Sequence, residues 1–259
     1  MTFRTLSSCS AAILCAATAL LFTACDDDNE TPAKGKLNVE FENVAGSQPL
    51  NFGSTYTTAA GDPFTVSKFN YYISNIKLTK TDGTEWAERE SYHLVKQADA
   101  GSRSFQLTDI PAGEYKKLTF TIGVDSARNV SGAQTGALDP LNDMFWTWST
   151  GYVFLKMEGN SPKSPTGNLQ FHIGGFRSPN NTIRTVSPGM PAGVTVQVTA
   201  KKTSAIHLQA DVLKMFTGPN PIQFAQTSNT GHSSDPNSVK IAANYAAGMF
   251  TIAHVRAGE

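Results

Sequence analysis

Residues 138–159 contain the side chains whose types and spacing are the most unusual in this chain. Met144, Phe145, Trp146 and Trp148 fall within five residues, and the chain has three tryptophans in all. In an extended strand, side chains two residues apart point to the same face, so the two indoles would stand side by side. Such a cluster of large, oxidisable side chains predicts either a core anchor or a binding site.

The five histidines are the other candidates for chemistry. No two of them have the H-x-H or H-x3-H spacing of a common zinc motif. His172 differs from the others because it alternates with Phe171 and Ile173, whose side chains should face the core. Its imidazole then faces the other way and is a candidate ligand for copper, which is suited to imidazole with soft partners. The histidines are His93, His172, His207, His232 and His254.

The sequence shows no motif of a known enzyme class. It lacks G-x-S-x-G, a phosphate-binding P-loop and H-E-x-x-H. All three cysteines, Cys9, Cys15 and Cys25, lie in the first 25 residues, so the remaining chain has no thiol nucleophile and no disulfide. We therefore predict a binding protein and not an enzyme.

Residues 1–24 have the pattern of a signal peptide, with Arg4 followed by an apolar run from Ala11 to Phe22. The small residues before Cys25 resemble a lipobox, which predicts that Cys25 is lipidated and anchors the chain in a membrane of the cell envelope. An ordinary secretory signal is the alternative. Residues 25–35 begin with an acidic run and are predicted to be a flexible tether. We expect the domain on the periplasmic face or at the outer-membrane surface.

Charge gives no indication of a polyanionic partner. Lys and Arg number 21 and so do Asp and Glu, and the predicted signal peptide removes only Arg4 from this balance. A near-neutral chain lacks the basic footprint of a nucleic-acid-binding protein, so we expect no nucleic-acid partner.

Apolar and polar residues alternate along much of residues 36–259, and this pattern predicts strands. One helix is predicted where Ser238 would cap an apolar run with helical spacing that extends to Phe250. The pattern predicts one all-β domain, an antiparallel β-sandwich with a C-terminal helix. The predicted strands are 37–41, 69–78, 92–95, 104–107, 118–122, 152–157, 169–173, 194–198 and 206–212.

Several short motifs stand in a recognisable order. They are G-V-D at 123–125, L-D-P-L-N at 138–142, M-F-W-T-W at 144–148, G-Y-V-F-L-K at 151–156 and F-H-I-G at 171–174. In this order they resemble the MbnP-like copper-binding domain, including that of Bacteroidetes-type envelope lipoproteins. The resemblance covers most of residues 36–259.

The resemblance implies a monomeric, β-rich copper carrier outside the cytoplasm. It also implies that a tryptophan is oxidised to kynurenine by a partner di-haem enzyme of the cytochrome c peroxidase type, and that the kynurenine joins histidines at copper. Carried over to this sequence, the candidate tryptophans are Trp146 and Trp148, and one histidine ligand is His172.

One position departs from the family pattern. Many members have an Asn-His pair where this chain has Asn129-Val130, and a valine cannot bind a metal. Copper would then use His93 or His207 in place of the missing histidine, or Met144 and Met157 as soft ligands, unless these methionines only fill the core. The competing hypothesis is a surface module without metal that binds a glycan or peptide through an exposed aromatic pair.

Overall fold

A computed structural model describes residues 1–2, 33–132, 134–146, 151–232 and 235–258. Cys25, most of the predicted tether and Trp148 lie outside the described residues. Pro32–Glu259 forms one compact unit. None of the helices in the described ranges combines the length and apolar character needed to cross a membrane.

The described residues form fifteen strands, most of them in regions that the alternating pattern predicts. In chain order they are β1 (Lys34–Ala45), β2 (Gln48–Pro49), β3 (Thr55–Thr57), β4 (Pro63–Lys80), β5 (Glu85–Ala87), β6 (Tyr92–Lys96), β7 (Ser104–Pro111), β8 (Gly113–Ile122), β9 (Val153–Asn160), β10 (Asn168–Gly174), β11 (Arg184–Val186), β12 (Val196–Val198), β13 (Ser204–Asp211), β14 (Asn229–Thr230) and β15 (Phe250–Arg256).

These strands build two sheets and confirm the predicted all-β class. In the five-stranded sheet, β15, β13 and β1 are neighbours, and both β7 and β2 pair with the far edge of β1. The ten-stranded sheet is built around the long strand β4, and β9 and β10 continue it on one side. The pairing is mostly antiparallel, but β1 runs parallel to β13 and β10 runs parallel to β14.

Within the part of the chain that the structure describes, the α-helices are α1 (Ser126–Asn129) and α2 (Pro236–Gly248). The prediction that Ser238 caps the C-terminal helix is wrong, because Asp235 is the N-cap and accepts a hydrogen bond from the Asn237 amide. Pro236 then occupies the first helical position, which suits its fixed φ and missing N–H. Phe250, predicted to lie in the helix, is the first residue of β15.

The main core lies between the inner faces of the two sheets and against α2. Phe41, Ile73, Phe171 and Tyr245 are among its buried side chains. Burying a side chain of this kind stabilises the fold by about 1.5–3 kcal/mol. All buried residues of this core and of a second, smaller core lie within residues 37–252. A chain of residues 32–259 therefore contains both cores.

A second, smaller core covers part of the outer face of the ten-stranded sheet. The cover segment, residues 124–132, 134–146 and 151–152, lies across this face, and Tyr72 and Leu94 of the sheet pack with its side chains Leu138, Met144 and Trp146. The rings of Tyr72 and Tyr152 meet edge to face, with their centroids 5.8 Å apart. The tryptophan-containing segment is therefore held against the sheet.

Candidate functional site

The alternation of strand β10 places His172 on the outer face of the ten-stranded sheet. Phe171 and Ile173 are fully buried in the main core, as predicted. His172 pairs in register with Lys156 of β9, and its side chain is only 13% exposed. The His172 Nε2 atom lies 2.8 Å from the Glu158 Oε1 atom. The imidazole is thus shielded from water and oriented by a carboxylate.

Trp146 reaches the same face at Gly174. A Cβ atom on Gly174 would lie 2.6 Å from the Trp146 Cη2 atom and 2.5 Å from the Tyr152 carbonyl oxygen. The indole can therefore approach the strand only because residue 174 has no side chain. Gly174 follows His172 by two residues on the same face, which is roughly 7 Å along a strand. Trp146 therefore approaches β10 two residues from His172 and on the same face.

Charged groups join the cover segment to the sheet beside His172. The Lys156 ammonium is 3.0 Å from the Asp143 Oδ1 atom and also donates to the Asp143 carbonyl oxygen. The Lys68 ammonium is 2.9 Å from Asp143 Oδ2 and 3.6 Å from Glu158 Oε2. Although burial opposes it, hydrogen bonds from Lys68 and Lys156 hold the pKa of Asp143 below its ordinary value.

Burial lowers the pKa of the His172 imidazole below its ordinary value, and the hydrogen bond with Glu158 only partly opposes this effect. The nearby Lys156 ammonium lowers the pKa further. At neutral pH the imidazole is therefore uncharged, which is the form that binds metal ions.

This shift predicts a pH dependence of stability. The unfolded chain takes up a proton at His172 near pH 6.5, before the folded chain does, so the fold loses stability as the pH falls below about 6.5. We expect urea unfolding to show a steeper loss between pH 7 and 5 for the natural sequence than for the His172→Gln variant. An equal pH dependence of stability in the two proteins would contradict a lowered pKa of His172 in the folded protein.

Asn129 is a structural residue whose role the sequence reasoning missed. Its side chain is buried. The Nδ2 atom donates hydrogen bonds to the Val124 carbonyl at 2.6 Å and to the Asp125 carbonyl at 2.9 Å. The Oδ1 atom accepts a hydrogen bond from the Tyr152 amide at 2.9 Å. The adjacent Val130 is 57% exposed and supplies no ligand. Asn129 thus holds together both ends of the cover segment. In the sequence, only its position in the family pattern indicated that this residue matters.

The structure separates the other predicted ligands from His172. His93 pairs in register with Ile73, so it lies on the inner side of the ten-stranded sheet, opposite to His172. Its ring stacks on Phe105 at a centroid distance of 3.6 Å, and its Nε2 atom lies 2.8 Å from the Glu88 carboxylate. His207 belongs to the five-stranded sheet. Neither histidine can complete a site at His172 in this arrangement.

The two methionines proposed as soft ligands lie in different cores. Met157 is buried in the main core and Met144 in the outer one, as expected of core-filling side chains. Met144–Trp146 do not form a strand, apart from a single bridge between Phe145 and Tyr152. Within the described ranges, no group of three or more His, Cys, Asp or Glu side chains is arranged to hold a metal ion.

Comparison with known proteins assigns the chain to a family. The solved structure of MbnP from Methylosinus trichosporium is similar, with a TM-score of 0.52 and 16% sequence identity over 87% of this chain and 99% of that chain. At this identity the likeness shows a shared fold. No curated protein matches the chain. The family model of MbnP matches residues 34–238. Since this match spans most of the sequence, the chain belongs to the MbnP family.

Proposed function

We propose that this chain is a copper-binding protein of the cell envelope, that His172 is a ligand, and that Trp146 or Trp148 lies beside the metal. Membership of the MbnP family supports this proposal. The observation that carries it is a shielded imidazole with a lowered pKa on the outer face of the ten-stranded sheet, two residues along β10 from Gly174, which Trp146 approaches. Imidazole is a suitable ligand for copper.

The surroundings of His172 fit a metal ligand. If its Nε2–H donates to Glu158, the lone pair lies on Nδ1 and is available to a metal. A carboxylate that accepts from the second ring nitrogen is the usual outer partner of a metal-binding histidine, since it fixes the tautomer and raises the basicity of the ligand. Glu158 is in turn held by Lys68.

The described residues around His172 supply one imidazole, so the proposed copper site needs further donors. Oxidation of Trp146 or Trp148 to kynurenine would add an amine and a carbonyl group. In this step water supplies the oxygen, the indole C2 carbon leaves as formate, and four electrons pass through the partner enzyme to hydrogen peroxide. We propose a di-haem enzyme of the cytochrome c peroxidase type as the partner that removes the electrons. A lipid on Cys25 would hold the protein, as a monomer with no catalytic role of its own, at the envelope.

The competing hypothesis of a glycan-binding or peptide-binding surface receives less support. It requires an exposed aromatic pair, whereas Trp146 is only 4% exposed and packs in the outer cluster. Such a side chain offers no stacking surface to a sugar.

Copper titration of residues 32–259, produced with and without the di-haem partner, tests the proposal. We expect a stoichiometric complex, and we expect His172→Ala to weaken it by more than the roughly tenfold loss typical of removing an outer partner of a metal site. His232→Ala is the matched control, because this imidazole lies in the loop between β14 and α2.

Two outcomes would overturn the proposal. One is the absence of a complex under both production conditions. The other is an equal effect of His172→Ala and His232→Ala. Circular dichroism of each variant, with His172→Gln as a second substitution, separates loss of a ligand from loss of the fold.

A further inference from the structure

A cleft with a basic lining, the basic cleft, opens at the end of the domain where strand β1 begins. Its volume is about 500 Å³. Four lysines line it, Lys34 and Lys36 of β1 and Lys201 and Lys202 of the loop between β12 and β13. Lys34 and Lys36 are two residues apart in a strand, so they share its outward face. All four residues are exposed, so their ammonium groups are open to a ligand from solution.

The sheet topology brings the two pairs of lysines together. Strand β1 runs parallel to β13, with Leu37 level with Ser204, so the residues that precede these two positions lie side by side. The two segments approach closely, since a Cβ atom on Gly35 would lie 2.3 Å from the Thr199 carbonyl oxygen. They are far apart in the sequence, so no motif predicts the basic cleft.

The charges in the basic cleft do not cancel. Among the described residues that line it, Asp109 is the only carboxylate, so four lysines against one aspartate leave a net charge of +3. The Asp109 Oδ1 atom is 3.5 Å from Lys34 Nζ, but the two side chains are 74% and 54% exposed, which makes this ion pair weak. The cleft is thus a local exception in a chain whose positive and negative residues are equal in number.

We propose that this end of the domain rests on a membrane surface, where the basic cleft binds the phosphate groups of anionic lipid headgroups. The inference rests on the lipid anchor at Cys25 in the proposed function. Eight residues separate Cys25 from Lys34. A chain spans at most about 3.3–3.6 Å per residue, so the anchor keeps the cleft within roughly 30 Å of the bilayer. The tether therefore holds the lysines and the headgroups at a high effective concentration.

This orientation leaves the proposed copper site clear of the membrane. His172 is level with Asn70 of β4, because both pair in register with Lys156 of β9. Lys80 lies ten residues further along β4 and donates to the Ala112 carbonyl, beside the start of β1. Ten residues of a strand span roughly 30 Å, so a partner enzyme could reach the His172 face while the basic cleft is on the bilayer.

Anions of the chain itself are the competing occupants of the basic cleft. Residues 26–30 include four acidic residues, and Glu259 follows Gly258, where a Cβ atom would lie 2.7 Å from Lys202 Cβ. These acidic residues lie outside the described ranges. A chain of residues 26–259 and one of residues 32–259 differ by the acidic run, so their comparison shows whether that run displaces lipid.

Sedimentation with vesicles at millimolar lipid tests the inference. We expect both chains to bind vesicles of equal parts phosphatidylglycerol and phosphatidylcholine, but not vesicles of phosphatidylcholine alone. Salt at 1 M should release them, because it shortens the screening length to about 3 Å. The double variant Lys201→Gln/Lys202→Gln should bind the anionic vesicles more than about tenfold more weakly, since one lysine near an anionic surface accounts for about fivefold. Lys36→Gln should give a smaller loss in the same direction.

The double variant Lys214→Gln/Lys240→Gln is the matched control. It removes the same charge from two exposed lysines, one after the far end of β13 and one on α2. The inference is overturned if this control weakens binding as much as Lys201→Gln/Lys202→Gln, or if residues 32–259 do not bind anionic vesicles. It is also overturned if only the chain without the acidic run binds, since that run is then the occupant. Copper titration of the same samples reads the His172 proposal separately, and we expect His172→Ala to leave vesicle binding unchanged.

Discussion

Asn129→Ala is expected to lower the free energy of unfolding by about 2–4 kcal/mol, because it removes three hydrogen bonds at a buried position. The Tyr152 amide and the Val124 carbonyl would be left without the side chain that now pairs them. Since these groups lie at opposite ends of the cover segment, we also expect that segment to detach from the sheet. Urea unfolding and hydrogen exchange at Tyr152 measure the two effects.

Asn51→Ala is the control for this prediction. Asn51 is exposed, and its side chain donates a long 3.4 Å hydrogen bond to the Pro49 carbonyl. We expect its loss to change stability by less than about 0.5 kcal/mol. Asn129→Asp adds a graded test, because it keeps the oxygen that accepts from Tyr152 but loses both donated bonds. If Asn129→Ala is no more destabilising than Asn51→Ala, Asn129 does not fasten the segment.

Gly174→Ala is expected to displace the Trp146 indole and to destabilise the fold by about 1–3 kcal/mol. The added Cβ would lie 2.5 Å from the carbonyl oxygen of Tyr152, which belongs to the main chain and cannot turn aside. We expect a changed tryptophan fluorescence spectrum. We also expect weaker copper binding although His172 is retained, because the proposed site depends on the approach of the two side chains.

Gly189→Ala is the matched substitution for Gly174→Ala. A Cβ at Gly189 meets no atom within 4 Å, so this variant should leave fluorescence, stability and copper binding unchanged. Identical behaviour of the two variants would show that the contact between Trp146 and Gly174 is not tight.

The sequence predicted strands such as β1 and β10 because each has one buried face, and it did not predict β2 and β5, which have no buried residue. Phe171, His172 and Ile173 illustrate this: the alternation alone placed the imidazole opposite the core. The sequence could not predict which strands become neighbours. The parallel pairing of β1 with β13, which brings Glu42 to His207, joins segments that are distant in the chain. Such partners are decided by packing of the whole domain.

The candidate site was predicted only in part for a similar reason. Residues 144–148 have strand-like spacing, yet Met144–Trp146 form only one bridge. Asp143 contacts Lys156 just before this stretch, and Asn129 accepts a hydrogen bond from the Tyr152 amide just after it, and the sequence pattern shows neither contact. Trp148 lies outside the described residues. His93 has the same imidazole chemistry as His172 but lies on the inner face of the ten-stranded sheet, as its register with Ile73 of β4 shows.

The central claim is that copper binds at His172 beside the tryptophan segment, and anomalous X-ray scattering from crystals of the copper-loaded protein tests it most directly. Data on both sides of the copper absorption edge would locate the metal without assumptions about ligands. We predict an anomalous peak at bonding distance from the His172 imidazole, next to Trp146. The absence of a peak near His172 in the fully loaded protein would contradict the claim.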